Sequence, residues 1–107
     1  MKRRAANDEQ TENASLQALA QALAALQRPE DVRAFLEDLC TPAELESMAD
    51  RWRVVPLLLK GVPYREIHDL TQVSVTTIGR VARTLERGTG GYATAVQQQQ
   101  RANSASH

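Results

Sequence analysis

The chain has a single cysteine, Cys40, so no internal disulfide can form and a reducing cytoplasm is the expected compartment. It has two histidines, one of them the last residue. With one thiol besides, they cannot supply a metal cluster or a nucleophile with its base, which argues against an enzyme. Aromatic residues make up only 4% and alanine and leucine dominate, the composition of an all-helical protein. No apolar run approaches the roughly 20 residues of a membrane span. The opening MKRRAANDEQ has no apolar segment behind it, so it does not read as a signal peptide. Net charge is missing as well, with 13 Lys/Arg against 13 Asp/Glu, which taken alone would argue against a nucleic-acid partner. The distribution argues the other way. Residues 1–50 carry 5 Lys/Arg and 10 Asp/Glu, whereas residues 51–107 carry 8 and 3, so an acidic half precedes a basic one.

At 107 residues the chain has room for one domain with a modest core. Residues 1–12 are polar and mixed in charge, and read as a disordered arm. Lys2, Arg3 and Arg4 could touch a phosphate backbone there or simply be solvated. From Ser15 to Gln27 the residues Leu16, Leu19, Ala20, Leu23 and Leu26 form a helical stripe. Pro29 opens a second helix with Val32, Phe35, Leu36 and Leu39 on one face. Thr41-Pro42-Ala43-Glu44 combines a capping hydroxyl, a proline at the first helical position and a capping-box glutamate. The helix it opens is expected to run to about Lys60, with Gly61 as its stop and a bend near Pro56. Leu45, Met48, Trp52, Val55 and Leu59 line one side of that helix, and Val54, Leu57 and Leu58 another. Its second half is thus apolar nearly all round, which predicts that a second subunit covers it. Trp52 reads as core rather than as a stacking partner for a ligand. Gly88, Gly90 and Gly91 predict a change of direction, Tyr92 to Val96 a last short helix, and residues 97–107 a disordered low-complexity tail.

Pro63 to Arg87, PYREIHDLTQVSVTTIGRVARTLER, carries the strongest functional signal. Tyr64, Ile67 and Leu70 recur at the step of one helical face, and Val73 plugs the turn that follows. Ser74 can cap a second helix through the backbone N–H of Thr76 or Thr77. Val75, Ile78, Ala82 and Leu85 give that helix an inward face, leaving Thr76, Thr77, Gly79, Arg80, Arg83 and Arg87 outward. Small hydroxyls followed by arginines suit a DNA major groove. The segment therefore reads as a helix-turn-helix over about residues 63–87.

DLCTPAELESMADRWRVVPLLLKG, YREIHDL and SVTTIGRVARTLERG together resemble the tryptophan repressor family, and more closely its YerC/YecD-type branch. The resemblance covers about residues 30–96. It implies an all-α helical bundle over residues 13–96, an intertwined homodimer, and operator DNA as partner. By position it implies that Arg65 and His68 face backbone phosphates, while Val75, Thr76, Thr77, Gly79 and Arg80 enter the groove. Arg80 or Arg83 could then pair with guanine. In tryptophan-binding members a threonine and an arginine of the long helix and an arginine of the recognition helix hold the amino acid. The matching positions are Thr41, Arg51 and Arg80. The residue that follows in those members is a glycine that makes room for the indole, whereas here it is Val81. Its extra carbons should clash, overpacking costing about 1–3 kcal/mol. No cofactor is therefore expected, and L-tryptophan as corepressor is disfavoured. The sequence thus predicts a homodimeric transcriptional repressor in the cytoplasm, with a helical dimerisation or adaptor module as the alternative.

Overall fold

The computed structural model describes residues 6–105, which among themselves form six α-helices and no strand. They fall into two compact units, one ending at Thr41 and the other beginning at Pro42. The sequence reading had spanned both in one domain.

The first unit holds α1 (Ala6–Ala25) and α2 (Pro29–Leu39). α1 begins earlier than the sequence suggests, within the stretch read as a disordered arm. Residues 6–25 contain no proline or glycine and are rich in Ala, Gln, Glu and Leu, all strong helix formers. Lys2, Arg3 and Arg4 lie outside the described residues. α2 starts at Pro29 as expected, with Glu30 and Asp31 in its first turn, where acidic side chains suit the helix dipole. Arg28 locks that turn from outside, its guanidinium donating to both carboxylate oxygens of Asp31 at 2.9 and 3.0 Å. No residue of α2 is buried, and Leu16 of α1 and Leu39 of α2 are largely exposed.

The second unit is built on α3 (Pro42–Leu59), against which α4 (Tyr64–Thr71), α5 (Val75–Arg87) and α6 (Gly91–Ala105) pack. α3 runs through Pro56 without losing its helical assignment, although a proline there leaves the Trp52 carbonyl without its usual donor. It ends as the sequence indicates. Gly61 takes φ 80° and its N–H donates to Leu58 O, while the N–H of Val62 donates to Leu57 O. Those two bonds satisfy carbonyls that a helix end would otherwise leave open. α6 continues to Ala105, through the glutamine run read as a disordered tail, because Gln and Ala favour helix wherever nothing breaks it.

The core of this unit is Val54 and Val55 from α3, Ile67 from α4, Val73 from the turn, and Ile78 and Val81 from α5. Trp52, Leu57, Leu58, Leu85, Tyr92 and Val96 pack around it. Trp52 is thus a core-flanking residue, and Tyr92 docks on the core from α6. Two assignments made from the sequence change here. Val81 belongs to the inward face of α5, and Val75 does not, being 51% exposed. On α4, Leu70 is 62% exposed and Tyr64 43%, so the buried face is Ile67 with Thr71 rather than the Tyr64–Ile67–Leu70 row.

Candidate nucleic-acid interface

α4, a three-residue turn and α5 form the helix-turn-helix, and its joint is held by short polar contacts. The Thr71 hydroxyl donates to Ile67 O at 2.7 Å and accepts from the Val73 N–H at 3.1 Å. This is how a polar side chain sits in the buried face without cost. Gln72 takes the left-handed conformation, φ 63°, and its N–H donates to His68 O at 2.7 Å. Val73 is then driven into the core, as its place in the turn suggested. Ser74 caps α5, accepting from the Thr77 N–H at 3.1 Å while its hydroxyl donates to Thr77 Oγ1 at 3.0 Å. Pro63 precedes α4 as an extended cap residue rather than forming its first turn.

Gln72 supplies a direct test of this joint. A side chain with a Cβ in the left-handed region costs roughly 1–2 kcal/mol relative to the right-handed one, and glycine carries no such penalty. Its side chain gives little back, one exposed 3.2 Å bond to Asp69 O. Gln72→Gly is therefore expected to raise stability by about 1 kcal/mol in urea unfolding at fixed protein concentration. A loss of stability would mean that the turn is held in some other way.

The candidate side chains distribute over this scaffold as follows. Arg65, Val75, Thr76, Arg80 and Arg83 are exposed, and His68, Thr77 and Gly79 are half-buried. His68 is tied to the joint, because its Nδ1 lies 2.8 Å from Val73 O. A carbonyl only accepts, so Nδ1 carries the proton and Nε2 is the ring's remaining polar atom. Thr77 is committed in part to the cap, since its oxygen already accepts from Ser74 and its own hydroxyl proton remains to be donated elsewhere. Thr84 donates to Arg80 O at 3.1 Å, a bond that occupies backbone and leaves the Arg80 guanidinium unengaged.

Among the described residues, three arginines are ion-paired, whereas those of the helix-turn-helix, like Arg51 and Arg101, are not. Arg28, Arg33 and Arg53 each face a carboxylate, at 2.9, 3.5 and 3.7 Å. Arg65, Arg80, Arg83 and Arg87 take part in no ion pair among the described residues. The helix-turn-helix thus holds four guanidinium groups that are in no ion pair among the described residues.

Of the three residues matched to tryptophan binding, the structure brings two together. Arg51 and Arg80 line a cavity of about 170 Å³ between α3 and α5, with Ser47, Asp50 and Thr77. Thr41 closes the first unit and is not among the lining residues. Asp50 pairs with Arg53 rather than with Arg51. Every lining side chain is polar, whereas Val81 is 1% exposed and faces the core. Sequence reasoning missed Ser47, and it missed Val81 as core. Ile78, Val81, Ala82 and Leu85 do follow the i, i+3, i+4, i+7 spacing that would have found it.

Two helices locked at a tight turn, the second with a buried apolar face and an outward arginine face, define a helix-turn-helix protein. The chain belongs to the Trp repressor family, whose model, described as Trp repressor protein, matches residues 14–100. That family is one of DNA-binding regulators rather than enzymes. The uncharacterised protein YerC of Bacillus subtilis (strain 168) is 40% identical over 63 residues, 59% of this chain. The chain spans only 61% of that relative's length. Two solved structures share the fold. One is a candidate Trp repressor from Staphylococcus aureus, with TM-score 0.76 and 31% identity over 81% of this chain and 87% of that one. The other is a TrpR-like protein from Eubacterium eligens ATCC 27750, with TM-score 0.74 and 32% identity over 79% and 88%. No helix among the described residues is long and apolar enough to cross a membrane.

Proposed function

We propose that the protein is a homodimeric, sequence-specific DNA-binding repressor of the cytoplasm. The observation that carries this reading is the set of unpaired arginines on α4 and α5. Exposed cations held on a rigid two-helix frame, in ion pairs with no carboxylate, suit an external polyanion. In this reading α5 lies in the major groove and α4 crosses the backbone. Val75, Thr76 and Thr77 lie at the N-terminal end of α5, where base edges and thymine methyls are met, and Arg80 can pair with guanine. Arg65 and His68 face phosphates and fix the register.

A second copy of the chain supplies the other half-site. The support is the exposure of large apolar side chains in each unit of one copy, Leu16 and Leu39 in the first and Met48 and Leu59 in the second. Patches of this kind mark association surfaces. No corepressor is required in this reading. An indole needs an apolar slot, but the cavity at Arg51 and Arg80 is lined by polar side chains.

The adaptor reading draws on the exposure of Leu70 and Val75 beside the arginines, and ionic strength separates the two. Binding to DNA should weaken with salt by about 0.9 in log–log slope for each phosphate neutralised. With several arginines from each of two protomers, a slope steeper than about −4 is expected in a fluorescence titration of a duplex. A salt-insensitive complex with a protein partner, and no duplex binding at low salt, would transfer the assignment to the adaptor.

A further inference from the structure

Gly79 sits in the middle of α5 and costs it stability, since glycine within a helix is roughly 0.5–1 kcal/mol worse than alanine. Nothing inside the protein asks for it. A methyl group built there would lie 3.6 Å from Arg83 Nη1 and 3.9 Å from Tyr64 Cε2, both ordinary contact distances. The same two distances show what surrounds the bare backbone. The guanidinium of Arg83 folds back one turn along α5, as helical side chains lean toward the N-terminus. The ring of Tyr64, the first residue of α4, arrives from the neighbouring helix. Its hydroxyl is two bonds beyond Cε2, and the side chain is 43% exposed. A charged donor and a neutral donor therefore lie over the half-buried Gly79 at the seam between the two helices.

We infer that Gly79, Arg83 and Tyr64 form a seat for one backbone phosphate of DNA. This rests on the DNA reading above and adds to it a residue, Tyr64, that the sequence had placed in the core. The seam is where the sugar–phosphate backbone passes when the second helix occupies the groove and the first crosses the strand. Arg83 supplies the charge and the Tyr64 hydroxyl a second hydrogen bond. The missing side chain at Gly79 lets the sugar–phosphate approach the helix backbone. Arg83 is thereby a phosphate ligand and not a reader of guanine, so the seat sets affinity and register and leaves sequence preference to Arg80 and the threonines.

The test is a set of titrations with the wild-type protein and three full-length variants. Each is measured on a duplex selected by the wild type and on an unrelated duplex, over a range of salt. Tyr64→Phe keeps the ring and removes the donor, and should weaken both duplexes by about tenfold without changing the salt slope. Arg83→Gln should weaken both and reduce the slope by about 0.9 for each protomer bound. Gly79→Ala should melt no lower than wild type yet bind both duplexes about tenfold more weakly, because the methyl group occupies the seat. Wild-type binding with Tyr64→Phe and Gly79→Ala unaffected would overturn the seat while leaving the DNA reading intact. A change of sequence preference in Arg83→Gln, at unchanged slope, would also overturn it. Failure of the wild type to bind either duplex would overturn both.

Discussion

Ile78→Ala is expected to destabilise the protein by about 3–4 kcal/mol, a large share of the 5–15 kcal/mol that small domains possess. Ile78 has no exposed surface and lies on the inward face of α5, in a cluster with Val54 and Val55 of α3, Ile67 of α4, Val73 and Val81. That cluster has six buried members, so the loss of one side chain cannot be absorbed by repacking many others. Removing three methyl or methylene groups forfeits their transfer free energy and leaves a void between α3 and α5. Urea unfolding at fixed protein concentration measures the effect, the fixed concentration being needed because association adds to apparent stability. A change below about 1 kcal/mol would mean that α5 is not anchored through this residue.

Two positions further along the same helix the expected effect is on binding rather than stability. Arg80 is exposed, is in no ion pair among the described residues, and lines the polar cavity between α3 and α5. Arg80→Ala should leave the melting temperature nearly unchanged, since exposed charges contribute little to folding. It should cost about 1–3 kcal/mol per half-site on the preferred duplex and relax the preference at the base pair it reads. Arg65→Ala gives the contrast, because a phosphate contact carries no sequence information and its loss should weaken every duplex alike. Competition titrations with single-base variants of the duplex distinguish the two patterns. Equal loss on every sequence from Arg80→Ala would remove it from base reading and make it a second phosphate contact.

Much of this architecture is legible in the sequence, and the reasons are local. Pro29 and Pro42 mark helix starts, Gly61 a stop, and Ser74 a cap, because each residue solves a backbone problem that only a few residue types can solve. The order of α2, α3, α4 and α5 follows from those signals. The inward faces are less legible. Tyr64, Ile67 and Leu70 share a three-residue step, but α4 is a helix of eight residues, too short for periodicity to choose between that row and Ile67–Thr71. Thr71 is buried only because its hydroxyl bonds to Ile67 O and the Val73 N–H, and composition does not reveal that satisfaction. Gln72 takes a conformation that glycine or asparagine would announce, so nothing in its side chain marks the turn. The helical extents of α1 and α6 were hidden for the opposite reason, since polar, repetitive sequence reads as loop although Ala, Gln and Glu favour helix.

At the candidate site the arginines were found because Arg65 precedes and Arg80, Arg83 and Arg87 follow a turn on one strongly amphipathic pair of helices. Their lack of ion-pair partners was not readable, since it depends on where carboxylates of the same unit, Asp50, Glu66, Asp69 and Glu86, point. Tyr64 was missed as a surface residue because an aromatic at helical spacing ordinarily belongs to the core. Its exposure and its closeness to Gly79 come from how α4 lies on α5.

The central claim is that this helix-turn-helix reads a DNA sequence as a dimer, and selection from a random-sequence duplex pool tests it most directly. The selection is run with and without L-tryptophan. The account predicts enrichment of a two-fold symmetric motif whose half-sites are about one helical turn apart, on the order of 34 Å. The same motif should emerge under both conditions. A motif that emerges only with tryptophan would contradict the corepressor-free reading of the polar cavity at Arg51 and Arg80, and the absence of any motif under either condition would contradict the claim itself.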